Sequence, residues 1–157
     1  MHPYLLKSLG LGPVVVRRLT VQIPSSQHDV ALSEDRFTLR EVVAHLADWE
    51  VLFRGRMELA HASPDSPIFT YDEGERAVEL NYSGMDFQEQ LDLYTSERKK
   101  TKAFLDSLTP GDFLLKYIHP ALGPMTIEDQ ANMLVGHDMY HVEQLTQYLN
   151  AADSLNP

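Results

Sequence analysis

A long apolar stripe at helical spacing is the feature of this sequence that most restricts its fold. Between residues 39 and 60 the apolar side chains recur at steps of three and four, at Leu39, Val42, Val43, Leu46, Trp49, Phe53, Met57 and Ala60. A period of 3.6 residues places these side chains on one face of a helix. The pattern therefore predicts a helix of about six turns with one buried face, ending before residues 63–64.

The start of this helix carries a clear signal. Thr38 and Glu41 have the spacing of a capping box, in which the threonine hydroxyl accepts from the Glu41 amide and the glutamate reaches back to the Thr38 amide. Phe37 and Val42 stand where the two residues of a hydrophobic staple would lie. The sequence thus predicts that the helix begins directly after Thr38.

Three further blocks of the chain show helical periodicity. The first covers residues 3–23 and is predicted to be bent or broken at residues 10–13, where two glycines and a proline occur. The third covers residues 86–108, and the fourth covers residues 126–149 after a cap with an acidic third residue. Without convincing strand alternation, four amphipathic helices predict an all-α, four-helix bundle.

The link between the second and third helices is unusually long for a bundle. Residues 63–83 contain two prolines, and only residues 76–80 have a briefly helical pattern. A link of this length could carry the chain from one end of the bundle to the other, so that helices two and three run parallel in an up-down-down-up order. Later in the chain, residues 113–118 are predicted to be extended and residues 119–124 to form turns.

Composition narrows the class of protein. The chain has 157 residues, of which 43% are hydrophobic, so one domain spanning residues 1–157 with a single core is the simplest expectation. A net charge of −10 argues against nucleic acid and anionic membranes as partners. Because there is no cysteine, any thiol chemistry must use a thiol from elsewhere. We find no signal-peptide pattern and no apolar window of membrane-spanning length, so a cytoplasmic protein is expected.

Three histidines are candidate metal ligands. His137 and His141 are four residues apart, so their imidazoles project from one helical face about one turn apart. Both lie beside the apolar stripe of the fourth helix, and His45 lies beside the apolar stripe of the second helix. Each histidine could instead be a hydrogen-bonded packing residue. A divalent cation would, however, satisfy all three imidazoles at once if they are buried together.

Three segments resemble a known family. They are FTLREVVAHLAD at residues 37–48, HPALGPMT at residues 119–126 and GHDMYHVEQ at residues 136–144. They are similar to the DinB-like superfamily of metal-dependent four-helix bundles, and the HD-x2-H-x2-Q pattern is the most specific part. The resemblance implies parallel second and third helices, frequent homodimerisation and a divalent metal held by three histidines. By position these ligands are His45, His137 and His141.

Three neutral imidazoles would leave coordination positions open for a reacting group. Nitrogen ligands favour zinc or nickel, with iron as a further candidate, over calcium and magnesium. Asp48 and Asp138 are candidate catalytic acids or bases, although Asp48 could equally be a solvated acid on the helix surface. Glu41 and Gln144 could each orient an imidazole, and Glu41 has the competing role in the capping box.

The other histidines carry weaker signals. His119 lies in a His-Pro turn, where a hydrogen bond to the backbone is the expected role. His2, His28 and His61 have no partner at ligand spacing.

Three functions are compatible with these residues. The first is a transferase in which the metal activates a low-molecular-weight thiol for attack on an electrophilic small molecule, as several members of the resembling family do with bacterial thiols. The second is a hydrolase or isomerase that uses water activated by the metal, with Asp48 or Asp138 moving protons. The third is a non-catalytic binding or dimerisation module in which a metal only braces the helices.

Overall fold

The computed structural model describes the backbone of residues 2–154 and the side chains of residues 2–150, so both ends of the predicted domain lie outside it. The helices and strands are α1 (Pro3–Thr20), α2 (Leu39–Ala62), α3 (Glu73–Glu79), α4 (Phe87–Ser107), β1 (Lys116–His119), β2 (Gly123–Thr126) and α5 (Ile127–Ser154). The four long helices α1, α2, α4 and α5 pack against one another. The prediction of a four-helix bundle is confirmed. None of the helices in residues 2–154 has the length and apolar character needed to cross a bilayer.

Helices α2 and α4 run in the same direction. Val43 and Leu91, near the two N-termini, belong to one apolar cluster, whereas Met57 and Leu105, near the two C-termini, belong to another. The long link therefore returns the chain along the bundle before α4 begins. It also contains α3, which lies close to the brief helix predicted at residues 76–80.

Helix α1 continues through residues 10–13, so of the two predicted alternatives, a bend or a break, the break is wrong. Pro13 has no amide hydrogen, and its place in the helix leaves the carbonyl of Leu9 without the usual donor. Arg98 on α4 supplies a donor instead, because its Nη1 lies 2.7 Å from the Leu9 oxygen. The hydrogen bond that proline removes is thus replaced from a neighbouring helix, and the helix persists.

The predicted helix starts are confirmed. At α2, the Glu41 amide donates to Thr38 Oγ1 over 3.3 Å and the Thr38 amide donates to Glu41 Oε2 over 2.8 Å. At α5, the same exchange joins Thr126 and Asp129, with distances of 3.0 and 2.9 Å. Both pairs fix the first turn of a helix that carries a candidate ligand.

A short antiparallel hairpin precedes α5, with Tyr117 paired to Met125. The sequence predicted an extended segment only for the first strand. The second strand was missed because it contains Gly123 and Pro124, two residues typical of turns. Backbone hydrogen bonds from Ile68 to Ile118 and from Ile118 to Ser66 attach the link to this hairpin. The link is consequently held along the outer side of α2.

Candidate metal centre

The three candidate ligands meet between α2 and α5. Nε2 of His45 lies 2.9 Å from Nε2 of His137, and Nε2 of His141 lies 3.2 Å from the same atom. Their ligand atoms all lie within 4.8 Å of one another. Residues 92 positions apart in sequence are thereby brought together by the packing of two helices.

The imidazoles lie in a water-poor site. His45 is 1% exposed and His141 is 4% exposed. Burial, with smaller contributions from the neighbouring histidines, lowers the pKa of His45 to about 2. Burial is also the main reason why the pKa of His137 falls to about 3 and why that of His141 is lowered. At neutral pH all three rings are therefore uncharged, which is the form that binds a metal.

Contacts with neighbouring side chains orient two of the three imidazole rings. Nδ1 of His141 lies 2.6 Å from Oε1 of Gln144, so Nδ1 carries the hydrogen and Nε2 carries a lone pair. This is the orienting role considered for Gln144 from the sequence. Within residues 2–150 no group hydrogen-bonds to Nδ1 of His45, and its ring packs against Phe37 and Trp49.

These residues fit a divalent cation of the zinc type. Ligands at about 2.0–2.1 Å from a tetrahedral centre are separated from each other by about 3.3 Å, close to the observed spacing of the Nε2 atoms. The Gln144 contact directs the His141 lone pair toward His137. Nε2 of His137 lies at hydrogen-bond distance from both other Nε2 atoms, and a cation would accept the lone pairs of all three at once.

Asp138 takes part in a buried ion-pair network. Its carboxylate accepts hydrogen bonds from Arg98 Nη1 over 2.6 Å, from Arg98 Nη2 over 2.8 Å and from the Tyr94 hydroxyl over 2.7 Å. Glu50 Oε2 lies 2.7 Å from the same guanidinium. The negative charge of Asp138 also raises the pKa of neighbouring His141, against the stronger effect of burial. The catalytic role predicted for Asp138 stays a prediction, and the structure gives its carboxylate a structural partner.

Asp48 is also paired. Arg76 of α3 binds its carboxylate with two nitrogens, of which Nη2 lies 2.8 Å from Oδ1. The Tyr82 hydroxyl donates to Oδ2 over 2.6 Å, and the Tyr82 ring meets His45 edge to face at 6.5 Å. Asp48 thus fastens the link to α2 behind His45. Its predicted catalytic role likewise stays a prediction.

Other sequence-predicted residues have simple roles. Glu41 acts in the capping box, as the competing interpretation proposed. His119 Nδ1 accepts hydrogen bonds from the amides of Ala121 and Leu122 at 3.1 and 3.2 Å, as expected for a turn residue. His61 lies at the surface, 4.0 Å from Asp112.

A pocket of about 230 Å³ opens beside His141. Its polar lining residues are Asp35, Arg36, Glu73, Tyr140, His141 and Gln144. Arg36 Nη1 donates to the Tyr140 hydroxyl over 3.3 Å. No sequence pattern pointed to Arg36, Glu73 or Tyr140 as site residues, because the three lie on different elements and meet only through the fold.

Comparison with known proteins identifies the family. The sequence profile of the DinB superfamily matches residues 12–145. The chain belongs to the DinB superfamily. The resemblance carried by the three sequence segments is confirmed.

Two curated relatives are similar over most of the chain. A protein from Oceanobacillus iheyensis, named as a proposed metal-dependent hydrolase, is 25% identical over 141 residues, which cover 90% of this chain and 81% of the relative. A similarly named protein from Bacillus licheniformis is 27% identical over 138 residues, covering 87% of this chain and 78% of that protein.

Solved structures show the same fold. YfiT from Bacillus subtilis, described as a probable metal-dependent hydrolase with an unusual four-helix bundle topology, superposes with a TM-score of 0.87 at 24% identity over 96% of this chain and 86% of YfiT. A mycothiol-dependent maleylpyruvate isomerase superposes with a TM-score of 0.74 at 14% identity, over 90% of this chain and 59% of the isomerase. At these identities the likeness establishes the four-helix fold of the DinB superfamily.

Proposed function

We propose that this DinB-superfamily protein binds one divalent metal through His45, His137 and His141 and uses it to activate a low-molecular-weight thiol for transfer to an electrophilic substrate. The observation that carries the proposal is the convergence of three imidazoles between α2 and α5, with Nε2 of His137 lying 2.9 and 3.2 Å from Nε2 of His45 and of His141. Names of relatives that refer to metal-dependent hydrolases agree with a reactive metal.

A bound divalent cation would act as a Lewis acid that lowers the pKa of a coordinated thiol or water. The protein keeps the three histidine ligands uncharged, oriented and shielded from water. Burial keeps His45 and His137 uncharged, and Gln144 fixes the tautomer of His141. The aromatic rings of Trp49 and Phe53 pack beside His137, with ring centroids 6.4 and 5.2 Å away, and exclude water there.

The pairing of the nearby acids favours a thiol over water. A free thiol has a pKa of about 8.5 and needs little help to ionise, whereas water usually needs a general base as well. Asp48 is bound by Arg76 and Tyr82, and Asp138 is bound by Arg98 and Tyr94. Neither carboxylate is therefore well placed to accept a proton from water. The structural likeness to a mycothiol-dependent enzyme agrees with thiol use.

Hydrolysis or isomerisation with activated water is the second candidate, and Glu73 is the residue that favours it. Glu73 lines the pocket beside His141, and partial burial raises the pKa of its carboxyl, followed by the charge of Asp72. A carboxyl with a raised pKa beside a metal site is suited to accept a proton.

The test is conjugation of monochlorobimane by zinc-loaded protein, with cysteine or glutathione as the thiol and metal-free protein as the background. The proposal predicts conjugation that needs both metal and thiol. His141→Ala should abolish it, whereas the matched control His61→Ala, which removes a surface histidine, should retain it.

Two results would contradict the thiol mechanism. One is a conjugation rate of the zinc-loaded protein that does not exceed the metal-free background with either cysteine or glutathione. The other is turnover of an ester substrate that needs metal but no thiol and that Glu73→Gln abolishes, which would establish the hydrolase instead.

A further inference from the structure

Arg56 differs from the other deeply buried arginine of the described structure. Arg56 and Arg98 are 7% and 2% exposed. Arg98 contacts the carboxylates of Glu50 and Asp138. Among residues 2–150, by contrast, no carboxylate lies within ion-pair distance of Arg56. Burying a guanidinium without a counter-charge is unfavourable, so a missing anionic partner is indicated.

The surroundings of Arg56 only partly satisfy it. Its Cζ lies over the rings of Trp49 and Phe53, 5.8 and 5.3 Å from their centroids. These rings cover a face of the guanidinium, whereas its N–H donors project from the edges. Tyr117 is its nearby hydrogen-bonding side chain, and the Tyr117 hydroxyl donates onward to Gln130. A guanidinium has five N–H donors, so one phenol oxygen leaves most of them available.

Arg56 forms part of the wall of a pocket of about 280 Å³ on the outer side of α2. The rest of the wall is mainly apolar and comes from α2 and the link, with Val51, Leu52, Gly55, Leu59, Pro67, Ile68, Phe69 and Tyr71. Phe69 is 88% exposed although it borders this pocket. An apolar pocket with one buried cation suits a ligand that combines a hydrophobic body with one negative charge.

We infer that this pocket is a binding site for a small hydrophobic carboxylic acid, with the ligand carboxylate on Arg56 and its aryl or alkyl part between α2 and residues 67–71 of the link. A carboxylate matches the planar fork of a guanidinium and would supply the counter-charge that the protein lacks. None of the three histidines lines this pocket, so the inferred binding does not require the proposed metal chemistry.

The position of Trp49 provides a direct assay. Trp49 is the single tryptophan of the chain, and its ring contacts the Arg56 guanidinium. Metal-free protein, separated from the chelator, is titrated with 4-phenylbutyrate and, in parallel, with the uncharged 4-phenylbutyramide, and tryptophan fluorescence is recorded. Variants are compared by the ligand concentration at half-saturation, the midpoint, and not by fluorescence intensity, because substitutions at Arg56 change the intensity of the ligand-free protein.

We expect saturable binding of the acid and at least tenfold weaker binding of the amide. Arg56→Met should weaken binding of the acid at least tenfold, and Arg56→Lys should weaken it several-fold, because lysine keeps the charge but not the planar fork. Arg18→Met is the matched control: it removes an exposed arginine from α1 and should leave the midpoint unchanged.

Equal midpoints for Arg56→Met and Arg18→Met would overturn the inference. So would equal binding of acid and amide, or no saturation in the wild-type protein up to the solubility of the acid. Circular dichroism checks that each variant folds. If Arg56→Met does not fold, Arg56→Lys decides: a several-fold weaker midpoint than that of Arg18→Met supports the site, and an unchanged midpoint refutes it.

Discussion

Metal-free protein should lose stability between about pH 7.5 and pH 5.5, because the candidate ligands are buried as neutral rings. In the unfolded chain a histidine takes up a proton near its usual pKa of 6.5, whereas folded His45 and His137 have pKa values of about 2 and 3. The unfolded state therefore binds more protons as the pH falls, and the free energy of unfolding decreases. Stability is highest above pH 6.5 and continues to fall until the folded-state pKa values are reached.

The size of the effect follows from these pKa values. Over this pH range, each such histidine lowers the free energy of unfolding by about 1.4 kcal/mol, so His45 and His137 together account for about 3 kcal/mol. Carboxyl groups with their usual pKa near 4 remain ionised over the same range, so they contribute little.

Urea unfolding of chelator-treated protein at the two pH values measures this loss. His45→Gln should reduce the loss by about 1.4 kcal/mol, whereas His61→Gln, at an exposed position, should leave it unchanged. The reasoning would be refuted if wild-type protein were equally stable at both pH values, or if His45→Gln showed the full wild-type loss.

Two further predictions concern the neighbours of the site. Gly12→Ala should destabilise the protein by about 2–4 kcal/mol in urea unfolding, because a Cβ atom there would come within 2.1 Å of Asp138 Oδ2. Gly136→Ala is the matched helical substitution with no atom within 4 Å of the new Cβ, and it should stabilise by about 0.5–1 kcal/mol. Gln144→Ala should weaken zinc binding about 10–100-fold in a chelator competition, since His141 loses its orienting hydrogen bond, whereas Gly136→Ala should leave zinc affinity unchanged.

Local signals in the sequence were sufficient for the helices that carry the site. The capping boxes at Thr38 and Thr126 place the first turns of α2 and α5, and helical spacing alone puts His137 and His141 on one face. His45 was a third candidate because it flanks the apolar stripe of its own helix, and the family resemblance then grouped it with the other two. These features could be predicted because each depends on residues within one or two turns of each other.

What the sequence did not reveal depends on contacts between distant elements. The continuity of α1 through Pro13 depends on Arg98, which is 89 residues away from the Leu9 carbonyl that it binds. The pairing of Asp48 with Arg76 requires the link to fold back along α2. Neither contact has a local pattern, so helical periodicity could not distinguish a free carboxylate from a paired one.

The metal content of freshly purified protein tests the central claim most directly. Elemental analysis of the wild-type protein and of His61→Ala should each give about one zinc or nickel ion per chain, with His45→Ala and His137→Ala each losing most of it. A metal content in His45→Ala equal to that of the wild-type protein would contradict a site built by imidazoles from both α2 and α5.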